Sequence, residues 1–168
     1  LLAGSLASLA NAWISPEDSQ DLEALLEIFY GSRAVAKALA PIALGKAVFP
    51  YSALNNYPEH LDNQEPLAKE IFFDTLSGKP ITEGDYQTYL VANRVLAEAL
   101  GASYRFLDYH NFYLLLDVAL LGLILSNFSK QGYTMAGINP LQYISASSFS
   151  FDAMLYANKY ADVPPIVL

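Results

Sequence analysis

Apolar residues spaced three and four apart recur along the chain and predict a succession of helices. Leu6, Leu9 and Trp13 mark a short amphipathic helix over Ser5–Trp13. Ser15-Pro16-Glu17-Asp18 is a start signal, a capping serine with proline at the first helical position and acids in the first turn. The helix it opens runs to Tyr30, presents Leu22, Leu25, Leu26 and Phe29, and stops at Gly31. Ala34 to Leu44 is Ala-rich and helical in pattern, with a break expected at Pro41. From Phe49 to Lys69 the pattern is irregular, and the segment reads as ordered loop with short helical turns, since Phe49, Tyr51, Leu54, Tyr57 and Leu61 can pack. Ile71–Leu76 is a short apolar run closed by Ser77-Gly78-Lys79-Pro80. Thr82, with Asp85 three residues on, caps a helix through Tyr86, Tyr89, Leu90, Val95 and Leu96 to Leu100, with Gly101 as its stop. A long apolar helix over Tyr104–Phe128 ends near Gly132, Tyr133–Tyr143 is loop around Asn139-Pro140, and Ser147 or Ser148 caps a last helix carrying Phe149, Ala153, Met154 and Ala157.

The stretch Tyr104–Phe128 is the one around which the rest is organised. It carries Asp108, His110, Tyr113 and Asp117 in its apolar first half. At about 100° per residue, His110, Tyr113 and Asp117 share one helix face. Asp108 falls near the helix start, where its charge suits the macrodipole. An ionised carboxylate inside such a helix is costly unless a cation, a donor or water compensates it. A catalytic metal and a buried hydrogen bond both meet that requirement, and spacing alone leaves the two open. His110 reads as a packing or hydrogen-bonding residue. With Asp117, Gly122, Ser126 and Asn127 inside it and no flanking cationic cluster, the stretch reads as a core helix rather than a membrane span, and no membrane partner is expected.

Composition narrows the function classes. The 168 residues are 54% hydrophobic and only 15% charged, a core-rich, mostly helical composition. Nine basic against 17 acidic groups give net charge −8, the wrong sign for a free-standing nucleic-acid binder. There is no cysteine, hence no disulfide or thiolate metal site, and His60 and His110 lack zinc-ligand spacing. No glycine stands in a phosphate-loop context, and the N-terminal stretch has no basic region of the signal-peptide kind. Leu1 and the closing Pro164-Pro165 read as cuts through a longer protein. The 12 tyrosines suit core and interface packing better than base stacking.

Four stretches, taken in order, carry a resemblance. They are SLASLANAW (Ser5 to Trp13), GKAVFPYSAL (Gly45 to Leu54), FFDTLSGKPITEGDYQTY (Phe72 to Tyr89) with the later DYHNFYLLLDVALL (Asp108 to Leu121), and INPLQYISASSFSFDAML (Ile138 to Leu155). In this register the chain resembles the organellar and viral type B DNA polymerases, the branch that includes protein-primed enzymes. Tyr113-Leu114-Leu115-Leu116-Asp117 matches the family's third exonuclease motif, Tyr-x-x-x-Asp.

The resemblance implies a mainly α piece, the helical part of an α/β ribonuclease-H-like 3′–5′ exonuclease over residues 1–135, leading into a polymerase palm over 136–168. It implies DNA synthesis with proofreading by two-metal phosphodiester hydrolysis, with Mg²⁺ or Mn²⁺ as cofactor. Asp117 would be a metal ligand, and Tyr113 would orient the attacking water. Primer-template DNA and deoxynucleotides would be the partners, with a terminal protein as primer in the protein-primed branch, in a viral, host-cell or organellar setting. In the register of the resemblance the Asp-x-Glu pair and the Asp of the first two exonuclease motifs should lie before Leu1 and the polymerase carboxylates after Leu168, so the isolated piece is expected to be inactive. Leu115 and Leu116 replace polar residues common in the family, Asn111 stands where an acid is usual, and Gly122 where a second Asp is frequent. The other reading from the sequence is a non-catalytic helical interaction or structural protein derived from a polymerase.

Overall fold

Four of the helices begin where a serine or threonine side chain receives a free backbone N–H, at Ser5, Ser32, Thr82 and Ser145. A computed structural model describes residues 5–44 and 47–160; Gly45 and Lys46 of the GKAVFPYSAL segment, and residues 161–168, lie outside them. Among the described residues seven α-helices follow in order: α1 (Leu6–Trp13), α2 (Ser19–Tyr30), α3 (Arg33–Ala43), α4 (Tyr51–Asn56), α5 (Glu83–Leu100), α6 (Phe106–Ala136) and α7 (Ala146–Tyr160). Short 3₁₀ turns stand at Pro16–Asp18, Pro58–Asp62, Lys69–Phe72, Gly101–Ser103 and Pro140–Gln142. Among the described residues there is no strand, only an isolated antiparallel bridge between Asp74 and Lys79. The protein is mainly α, as the spacing predicts.

Two compact units partition the chain, Ser15–Leu120 and Leu1–Ile14 with Leu121–Leu168. The boundary expected at 135/136 rests on the resemblance alone. In Ser15–Leu120, α2 packs on α3 and α3 on α5. The core is built from Leu22 and Leu26 of α2, Leu39 and Ala43 of α3, Leu96 of α5 and Phe112 and Leu116 of α6. Leu25 and Phe29, expected on the inner face of α2, are exposed, because only one face of α2 is covered by α3.

Pro41 does not break α3. Its missing N–H would have bonded the carbonyl of Lys37, an exposed position that water can satisfy, while Ala36, Leu39, Ala40 and Ala43 are buried on the opposite side. Burial outweighs the one lost bond. Thr82 caps α5 by accepting from the Asp85 N–H at 3.1 Å. Asp108 caps α6, its carboxylate accepting from the Arg105 N–H at 2.8 Å.

In the other unit α6 runs past Gly132 to Ala136, one turn beyond the sequence expectation, and the loop is correspondingly shorter. Gly132 is not a stop but a contact: a Cβ there would lie 2.5 Å from Pro140 Cδ and Cγ. The chain leaves the helix at Gly137, whose φ of 72° is open to glycine. Ser129 Oγ donates to Asn139 Oδ1 at 2.9 Å, and Asn127 Nδ2 donates to the Trp13 carbonyl at 2.9 Å. Trp13 meets Phe128 edge-on at 5.4 Å, which anchors α1. Ser145, not Ser147 or Ser148, caps α7, accepting from the Ser148 N–H at 3.2 Å, because the helix starts two residues earlier than the pattern suggests.

By length and composition α6 is apolar enough to cross a bilayer, and 39% of its most apolar window is buried inside the protein.

Candidate functional site

The first half of α6 is lined by aromatic rings, and the segment before α4 lies along it. The Tyr109 hydroxyl donates to the Val48 carbonyl at 2.7 Å, pinning that backbone to the helix. The Phe49 ring then stacks on Tyr113 with centroids 4.9 Å apart and meets His110 at 5.1 Å. Pro50 is buried, and its restricted φ turns the chain into α4. Tyr51, the first residue of α4, crosses back: its ring is edge-on to Phe49 and Tyr113, and its hydroxyl donates to the Tyr113 hydroxyl at 2.8 Å.

Phe49-Pro50-Tyr51 was expected simply to fill a core. Phe49 and Pro50 do pack inward, but Tyr51 is 55% exposed, meeting Phe49 and Tyr113 edge-on and bonding Tyr113 through its hydroxyl. A half-exposed aromatic with a satisfied hydroxyl does not earn its place by burial.

Tyr113 is 2% exposed. Its pKa is pushed far above the ordinary phenol value, first by burial, then by the bond with Tyr51 and the negative charge of Asp117. The phenol therefore stays protonated at any physiological pH. It offers a hydrogen-bond donor and acceptor, not a base. Asp117 lies one turn on and is half-buried. The contact with Tyr113 and partial solvation together provide what its carboxylate needs inside an apolar helix.

His110, Tyr113 and Asp117 occupy one side of α6 as the spacing predicts, and the first two share Phe49. His110 is the packing residue expected, but its Nδ1 is buried with no hydrogen-bond partner among the described residues.

Tyr113 and Tyr51 form the inner wall of a groove of about 830 Å³. The facing wall is the apolar run and turn after Phe72, where Leu76 is almost fully exposed rather than packed. Asp74 shapes that turn: it accepts from the Leu76 N–H at 3.0 Å and the Ser77 hydroxyl at 2.6 Å. These bonds, Ser77's foremost, hold its carboxyl below the usual range. Ser52 Oγ and Thr75 Oγ1 are 2.9 Å apart, and the Thr75 N–H also donates to Ser52 Oγ at 3.3 Å. The turn is thus tied to α4 beside Tyr51.

As a metal site the donor set is thin. Among the described residues no three carboxylate or imidazole groups converge. Asp117 alone does not fit a pair of divalent ions, whose bridging needs several carboxylates.

Sequence reasoning did not reveal the Tyr51–Tyr113 contact, which joins residues 62 apart. Nor did it reveal Asn93, a 2%-exposed amide on α5 that donates to the hydroxyls of Tyr89 and Tyr104 at 3.2 and 2.5 Å. Asn93 lies four residues from Tyr89 on a helix, and that spacing was the available signal.

Set against known proteins, the chain matches no family model, no curated protein and no solved structure.

Proposed function

We propose that this chain is a segment of a type B DNA polymerase of the protein-primed branch, spanning the later part of its 3′–5′ exonuclease domain (1–135) and the entry to its palm (136–168). The whole enzyme would extend primers on a DNA template and remove mismatched 3′ ends. One observation carries the reading. The Phe-Pro-Tyr segment and the tyrosine of the Tyr-x-x-x-Asp motif are separate pieces of the sequence resemblance, and they line one groove, with Tyr51 bonded to Tyr113 at 2.8 Å. Chance matches to a family pattern have no reason to converge.

In this reading Asp117 is one of several metal-holding carboxylates, the rest supplied by polymerase sequence outside the segment. Tyr113, kept neutral, orients the attacking water by hydrogen bonding. When bound, Mg²⁺ or Mn²⁺ supplies charge stabilisation for the displacement. The Asp117→Ala variant of the intact polymerase should lose 3′–5′ degradation of a single-stranded primer while still extending it. Retained degradation would refute the assignment.

A second reading, a non-catalytic helical interaction protein, is favoured by the apolar, exposed row Leu107, Leu114 and Val118 on α6. The intact mass in the native source separates the two. A mass several times 18.4 kDa supports the polymerase, and one near 18.4 kDa supports the interaction protein.

A further inference from the structure

We propose that Tyr51 is a positioning residue for the exonuclease, its hydroxyl fixing the direction in which the Tyr113 hydroxyl points. The role rests on the function proposed for Tyr113 and Asp117.

A phenolic O–H turns about a single bond, so a buried ring does not by itself aim its proton. Here the Tyr113 oxygen receives the Tyr51 O–H at 2.8 Å, which occupies one acceptor side and leaves its own proton for a partner elsewhere. Tyr51 is itself held in place. Its ring lies edge-on between Phe49 at 5.0 Å and Tyr113 at 5.9 Å. Its backbone opens α4, where the Leu54 N–H bonds the Pro50 carbonyl at 3.1 Å. The neighbouring Ser52 is tied to Thr75 across the groove. A displacement of the 74–79 turn by an entering strand would therefore be passed through Ser52 to Tyr51, and from Tyr51 to the Tyr113 hydroxyl.

The test is Tyr51→Phe, which keeps the ring and removes the hydroxyl. In the intact polymerase degrading a single-stranded oligonucleotide, kcat should fall about 3- to 10-fold, the worth of one neutral hydrogen bond, with KM unchanged. In a Tyr113→Phe background Tyr51→Phe should cause no further loss. Tyr57→Phe, outside the groove at the end of α4, is the control for α4 itself and should leave kcat unchanged. In the 168-residue chain, the ¹³Cζ resonance of Tyr113 should move in Tyr51→Phe and not in Tyr57→Phe. Unchanged kcat, or losses that add in the double variant, would overturn the positioning role. An intact protein with no nuclease activity would overturn the proposed function and this role with it. In that case the ¹³Cζ shift would still report the hydroxyl contact, so the two failures are distinguishable.

Discussion

Raising the pH should melt the unit Ser15–Leu120 cooperatively, because its core holds tyrosines that cannot ionise in place. Tyr89, Tyr104 and Tyr109 are 1%, 2% and 0% exposed. Burial is the leading reason why all three pKa values lie far above the ordinary phenol value. Their oxygens are already used. Tyr109 donates to the Val48 carbonyl, and Tyr89 and Tyr104 accept from Asn93. In the unfolded chain the same phenols ionise near pH 10. A pKa raised by folding leaves stability constant below about pH 10 and removes it above that pH, as the unfolded state releases protons the native state retains. Tyr30 and Tyr113 are raised in the same way, so five phenols each cost about 1.4 kcal/mol per pH unit, about 7 kcal/mol per unit together and about 14 kcal/mol by pH 12. Domains of this size hold about 5–15 kcal/mol. The expected result is loss of helical circular dichroism between about pH 11 and 12.5, coincident with a cooperative rise in tyrosinate absorbance at 295 nm. Tyr109→Phe removes one of the five protons and should flatten the fall of stability with pH by about a fifth. Noncooperative titration of all 12 tyrosines near pH 10 with the helices intact would refute the reasoning. So would an unchanged slope in Tyr109→Phe.

Three further outcomes are expected. Asn93→Ala should cost about 2–3 kcal/mol in urea unfolding, because it opens a cavity and removes the Asn93 donor from the buried Tyr104 hydroxyl and one of two donors, the other the Leu67 N–H, from Tyr89; a cost under 1 kcal/mol would mean water replaces the amide. Gly132→Ala should destabilise its unit by about 1–3 kcal/mol, since the new methyl meets the rigid Pro140 ring. The substitution would otherwise gain about 1 kcal/mol of helix propensity, so a net gain would show that Pro140 can move aside. Calorimetric titration of the 168-residue chain with Mn²⁺ should show no tight, Asp117-dependent binding, and tight binding lost in Asp117→Ala would contradict the single-carboxylate picture.

What the sequence determined by itself is local. The cap at Thr82, the place of Asp108 near a helix start and the stops at Gly31 and Gly101 involve groups within a few residues of one another, so their physics is written in consecutive letters. The shared face of His110, Tyr113 and Asp117 follows from helical pitch in the same way. Even locally, the sequence misjudged two places where a distant partner intervened. Pro41 stays within α3 because buried alanines and a leucine opposite it outweigh one lost bond, and Gly132 sits inside α6, where its missing Cβ leaves room for Pro140. Only the tertiary structure decided the wall of the groove. Tyr51 reads in the sequence as one more packing aromatic among twelve tyrosines. Its hydroxyl finds Tyr113 only because Phe49 and Val48 are held on α6 while Pro50 turns the chain outward. A hydrogen bond depends on tenths of an ångström between atoms, and for residues 62 apart nothing in their spacing along the chain sets that distance.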